Sequence, residues 1–94
     1  VDLQDNYHIT SNRESGFGRY DVMLEPFDIS KTAYILEFKV HNPRTEDSLE
    51  DTVSKALLQI DEKNYDAELI ADGFREEQIC HFGFAFEGKH VLIG

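Results

Sequence analysis

The sequence is poor in the residues that most often announce a function. It holds one cysteine, Cys80, which excludes an internal disulfide framework and any multi-cysteine zinc site. Basic residues are few, nine Lys and Arg against 19 Asp and Glu, for a formal net charge of −10. Proteins that grip nucleic-acid backbone normally neutralise phosphates with clustered Lys and Arg, and here the basic residues are scattered. Sequence-independent binding by this chain alone is therefore expected to be weak. Nucleic-acid chemistry would need metal ions, a further segment or a partner to offset the repulsion. No apolar run approaches the roughly 18 residues of a membrane span, because Glu37 and Lys39 interrupt the best candidate at 34–40. No signal-peptide pattern opens the chain, so a cytoplasmic location is the default expectation. Val1 is not an initiator methionine, and we expect the chain to be a piece of a longer protein.

What is present is a folding composition. With 94 residues, 40% of them hydrophobic, the chain reads as one small domain over 1–94 with a modest core. A short strand is expected at 7–10, then a polar, glycine-bearing loop or bulge at 11–18. Residues 19–25 alternate, with Tyr20, Val22 and Leu24 on one face and Arg19, Asp21, Met23 and Glu25 on the other. Pro26 is expected to end that strand, with a turn following. Residues 33–40 alternate again, setting Tyr34, Leu36, Phe38 and Val40 against Ile35, Glu37 and Lys39.

The acidic cluster Glu46, Asp47, Glu50 and Asp51 after Pro43 marks a helix start, with Asp47 or Ser48 as cap. Leu49, Val53, Ala56, Leu57, Ile60 and Asn64 repeat at helical spacing. A second short helix spans 65–72 and ends at Gly73. Strands at 79–86 and 90–93 close the order β-β-β-α-(α)-β-β, an α/β (by some schemes α+β) arrangement of helices on a mixed sheet.

Asp21 sits mid-strand between apolar neighbours, and Glu37 and Lys39 share one face of the next strand. An antiparallel hairpin centred on 28–30 puts Met23 opposite Ile35 and Asp21 opposite Glu37. Two unit negative charges about 5 Å apart repel by about 3 kcal/mol at an effective dielectric near 20, so the pair requires a counter-charge. Lys39 could supply it, and a divalent cation would supply more. Two carboxylates, the Phe38 carbonyl and waters make the oxygen shell that Mg²⁺ takes. A metal there would polarise a phosphodiester and activate a water. Lys39 would orient or deprotonate that water, or stabilise the pentacoordinate charge. The competing reading is a solvent-facing strand with an ordinary cross-strand salt bridge.

Gly-Arg-Tyr-Asp at 18–21, Glu-Phe-Lys at 37–39 and Gln-Ile-x-x-Lys-x-Tyr at 59–65 resemble the PD-(D/E)XK nuclease superfamily. The longer strings at 11–21 and 56–65 are similar to one branch of it, in which the nuclease-like domain lies at the C-terminus of bacterial and archaeal proteins with an AAA-ATPase-like region. The resemblance covers the chain from about Tyr7 onward. It implies a restriction-endonuclease-like mixed sheet, Mg²⁺ or Mn²⁺ as cofactor, and nucleic acid (DNA first) and the ATPase-like region as partners. It makes Asp21 and Glu37 metal ligands with the Phe38 carbonyl, Lys39 the catalytic lysine and Gln59 an assisting residue, with Lys63 pointing to phosphate. Glu14, Arg19 and Tyr65 are supporting residues: Glu14 a further acid or a loop salt bridge, Arg19 a partner for Glu14, Glu37 or phosphate, and Tyr65 a hydroxyl at the site or a core ring with a wet tip. The superfamily core, α-β-β-β-α-β, fits this order except for its first helix, which would precede Val1. Without it one sheet face is left uncovered, which invites a homodimer or contact with the parent protein. Many members of the superfamily have kept the fold and lost the activity, so an inactive domain used in assembly is the alternative function.

Other candidates are weaker. Gly16 and Gly18 lack the Lys-Ser/Thr and following helix of a P-loop. His8, His41, His81 and His90 show no zinc-ligand spacing, and Cys80, on the face of Phe82, Phe84 and Phe86, is expected to be buried and inert.

Overall fold

A computed structural model describes residues 6–13 and 19–94, the side chains of 12, 13 and 19 excepted. Among the described residues five strands, β1 (Tyr7–Arg13), β2 (Arg19–Pro26), β3 (Ala33–Val40), β4 (Ile79–Glu87) and β5 (His90–Ile93), form one sheet in the order β1-β2-β3-β4-β5. Neighbours are antiparallel except β3 and β4, which run parallel. A parallel pair needs a long crossover, and here it carries α1 (Leu49–Lys63), α2 (Tyr65–Ala71) and a short 3₁₀ turn (Glu76–Gln78). The architecture is therefore α+β, with the predicted element order. Pro26 is the last residue of β2 rather than its stop signal, and it ends a strand where no further ladder donor is needed. The first strand runs three residues beyond the predicted 7–10, taking in part of the segment read as loop. Gly16 and Gly18 lie outside the described residues.

Ser48 caps α1, accepting the Asp51 N–H at 3.3 Å, with Glu50 and Asp51 in the first turn where the helix dipole favours carboxylates. The helix ends at Asn64, whose left-handed backbone (φ 55°) breaks it and starts α2 at once. Gly73, at φ 110°, follows α2 as expected. The core lies between the helices and one sheet face, where Ala33, Ile35, Ile60, Leu69 and Phe74 meet, with Met23, Leu57, Tyr65 and Ile79 packed around them. Among the described residues no helix is long and apolar enough to cross a membrane.

The other sheet face is aromatic. Tyr20 stacks on Phe38 and Phe38 on Phe84, each pair with centroids 4.6 Å apart. Cys80 and Phe82 lie on this side, and the expectation that Cys80 is buried is corrected: Cys80 is half-buried, and its neighbour on that face, Phe82, is 37% exposed. The reason is one-sided packing, since α1 and α2 both pack on the Ile35 face.

Gly83 permits the close approach of α1. A Cβ there would stand 3.0 Å from the Val53 carbonyl, 3.2 Å from Ala56 Cβ and 3.3 Å from Leu57 Cγ. Helix backbone cannot yield as a side-chain tip does. Gly83→Val is expected to destabilise the domain by about 1–3 kcal/mol through overpacking, read as a lower midpoint in denaturant titration.

Candidate functional site

The β2–β3 register sets Met23 opposite Ile35 and Asp21 opposite Glu37, as the hairpin centred on 28–30 requires. Both acids point to the helix-covered face and are withdrawn from water, Asp21 at 2% and Glu37 at 0% exposure. Glu37 in turn sits beside Gly83 of β4. The cation that meets the pair is not Lys39 but Lys63, on the last turn of α1. Its Nζ donates to Asp21 Oδ2 at 2.7 Å and lies 3.6 Å from Glu37 Oε1. Burial lowers the Lys63 pKa. The Tyr65 hydroxyl donates to the same Asp21 oxygen at 2.8 Å, while its ring packs against the core. Burial, and then that hydrogen bond to Asp21, raises the phenol pKa above its ordinary value.

Lys39 shares the Glu37 face but is engaged elsewhere. Its Nζ donates to Glu46 Oε2 at 2.5 Å. The Glu46 side chain is fully shielded from solvent and gathers a set of donors. The Asn42 backbone N–H donates to Oε1 at 2.8 Å, the Thr52 hydroxyl lies 2.8 Å from Oε1, and Lys55 Nζ lies 3.7 Å from Oε2. Thr52 Oγ1 is also 2.7 Å from His41 Nδ1. A hydroxyl has one proton, so a Thr52 that donates to the carboxylate accepts from a protonated His41 Nδ1, and the three form one directed chain. Burial alone would raise the Glu46 pKa. The Asn42 N–H, the Lys39 ammonium and the Thr52 hydroxyl outweigh it and bring the value down to about 2.

Gln59, Lys55, Leu58 and Glu62 line an open cleft of about 260 Å³ together with Lys39. The structure thus divides the predicted residues into two adjoining groups: Asp21, Glu37 and Tyr65 around Lys63, and Lys39 with Gln59 at the cleft. The Phe38 side chain lies on the aromatic face, so only its carbonyl is left for the site. Arg19 pairs with Lys39 in the ladder, while its side chain and all of Glu14 lie outside the described residues. Among the described residues, no three His, Cys, Asp or Glu side chains converge on one point. A metal at Asp21 and Glu37 would therefore complete its shell with backbone and water oxygen. Glu46, legible in the sequence only as a helix-start acid, instead anchors Lys39 and Thr52. Lys63, expected to point to phosphate, pairs with the carboxylates. A signal for Lys63 was present, because it continues the buried spacing Val53, Ala56, Ile60 by three residues.

The depressed Glu46 pKa fixes a pH dependence. A carboxyl whose folded value lies near 2, against 4.5 for the free group, stabilises the fold fully above about 4.5 and loses that contribution as pH falls towards 2. Glu46→Gln is expected to melt below wild type at pH 7, and the gap between the two should close between pH 5 and 2. A gap that stays constant in thermal melts across that range would contradict the assignment.

No curated protein and no solved structure matches the chain. A family model described as the PD-(D/E)XK nuclease superfamily matches it over residues 1–94, end to end and including the two strands that oppose Asp21 and Glu37. The mixed sheet with its one-sided helices is accordingly the restriction-endonuclease-like fold, and the chain belongs to the PD-(D/E)XK nuclease superfamily.

Proposed function

We propose that the domain is a Mg²⁺- or Mn²⁺-dependent phosphodiesterase acting on nucleic acid, DNA in the first instance. The observation that carries this reading is the Asp21–Glu37 pair, two buried carboxylates opposed on one rung with a cation already between them. A fold that gathers like charges in this way has made a place for positive charge, and its oxygen-only donors suit Mg²⁺. When bound, a metal would supply polarisation of the phosphodiester and a water of lowered pKa. Asp21 and Glu37 would hold it, with the Phe38 carbonyl. The Lys39 ammonium, oriented by Glu46, has protons to give and so stabilises negative charge developing on the phosphoryl oxygens. Gln59 and Lys55, on the same cleft, position the phosphate backbone. Lys39 and Lys55 bring positive charge to a cleft that Glu62 also lines, on a chain that is acidic overall. Glu14 and Arg19 join the proposal on the motif alone.

The strings at 11–21 and 56–65 support the finer placement beside an AAA-ATPase-like region, which we propose as the partner that offsets the net charge of −10. One observation favours a second reading, a nuclease fold used only in assembly: Lys63 already pairs with Asp21 and Glu46 engages Lys39, so both lysines have partners within the chain.

Plasmid nicking in Mg²⁺ or Mn²⁺ separates the two. Lys39→Ala and Asp21→Asn are each expected to lose about 10²–10³-fold in rate with the circular dichroism spectrum unchanged. Nicking unaltered by Lys39→Ala removes the mechanism, and no nicking by wild type under either metal favours the assembly reading.

A further inference from the structure

We propose that the Lys63 ammonium is a built-in stand-in for the metal, and that a divalent cation enters the Asp21–Glu37 site by displacing it. This rests on the reading of that pair as a metal site. Lys63 Nζ contacts Asp21 Oδ2 at 2.7 Å and approaches Glu37 Oε1 at 3.6 Å. These are the two side chains a metal would use, and Mg²⁺ binds its oxygens at about 2.0–2.1 Å. A carboxylate has lone pairs enough for both cations, but a dication that close to the Asp21 oxygens repels an ammonium held at hydrogen-bond distance from one of them, so binding of either cation disfavours the other.

The structure equips Lys63 to be the one that moves. It is the last residue of α1, on a flexible four-carbon stem, and its side chain keeps 17% exposure. Lys39 is not a substitute, since Glu46 engages it. In the metal-free chain Lys63 therefore keeps two buried carboxylates from repelling each other, and in doing so it weakens the site for metal. The affinity that is measured is a difference between two cations rather than the strength of the ligands alone.

Mn²⁺ titration by calorimetry and by thermal melting of the chain tests this in wild type, Lys63→Met, Lys63→Gln and Asp21→Asn. Lys63→Met is expected to melt below wild type without metal, to bind Mn²⁺ at least about tenfold more tightly, and to recover stability at saturation. Lys63→Gln, which keeps a donor and loses the charge, should bind more tightly in the same direction and covers the case in which the Met variant fails to fold. In wild type, the Lys63 ammonium resonance in ¹⁵N NMR should shift as Mg²⁺ is added. If wild type binds Mn²⁺ through Asp21 and the Lys63 variants bind no more tightly, the displacement proposal is overturned while the metal site stands. If wild type and the Lys63 variants all fail to bind, the metal-site reading falls and the displacement with it.

Discussion

The opposition of Asp21 and Glu37 on a helix-covered sheet face is the constraint around which this domain is arranged. Neither acid can be moved to water without shifting a whole strand, because side-chain period in a sheet is two and a one-residue slip would turn Ile35 outward with Glu37. The fold answers the charge rather than removing it. It ends α1 with a lysine aimed at the pair and begins α2 with a tyrosine that donates to the same oxygen. Buried ion clusters of this kind stabilise little against a well-packed apolar alternative. A buried acid pair in place of two aliphatic residues therefore adds little to stability.

A second buried carboxylate, Glu46, works on different terms. Where the Asp21–Glu37 pair shares one principal cation, Glu46 draws on a backbone N–H, a hydroxyl and two lysines. Its low pKa expresses that surplus of donors. The two clusters divide the lysines of the site between a fully satisfied anion and a pair that carries excess negative charge. That division explains why two lysines on neighbouring elements have such different partners.

Much of this was legible in the residues. Alternation at 19–25 and 33–40, with a short turn between them, gave the hairpin register, and the register brought Asp21 and Glu37 together. The helix cap at Ser48 and the break at Gly73 were readable from capping chemistry. What was not legible depended on three-dimensional reach. Lys39 is seven residues from Glu46 across an irregular loop, a separation with no periodic signature. The partner of Lys63 lies 42 residues away on another element. The incomplete burial of Cys80 was not legible because alternation shows which residues share a face but not which face the helices cover.

The joint between the helices has a further consequence. Asn64, left-handed at φ 55°, separates Lys63 from Tyr65, and both side chains end on one oxygen of Asp21. This single residue acts as a caliper that meters the length of α1. One residue more in the helix would rotate its final side chain by about 100° and advance it by about 1.5 Å, carrying the amine off its target. Relatives that preserve such a centre should therefore tolerate changed composition along the helix far better than changed length.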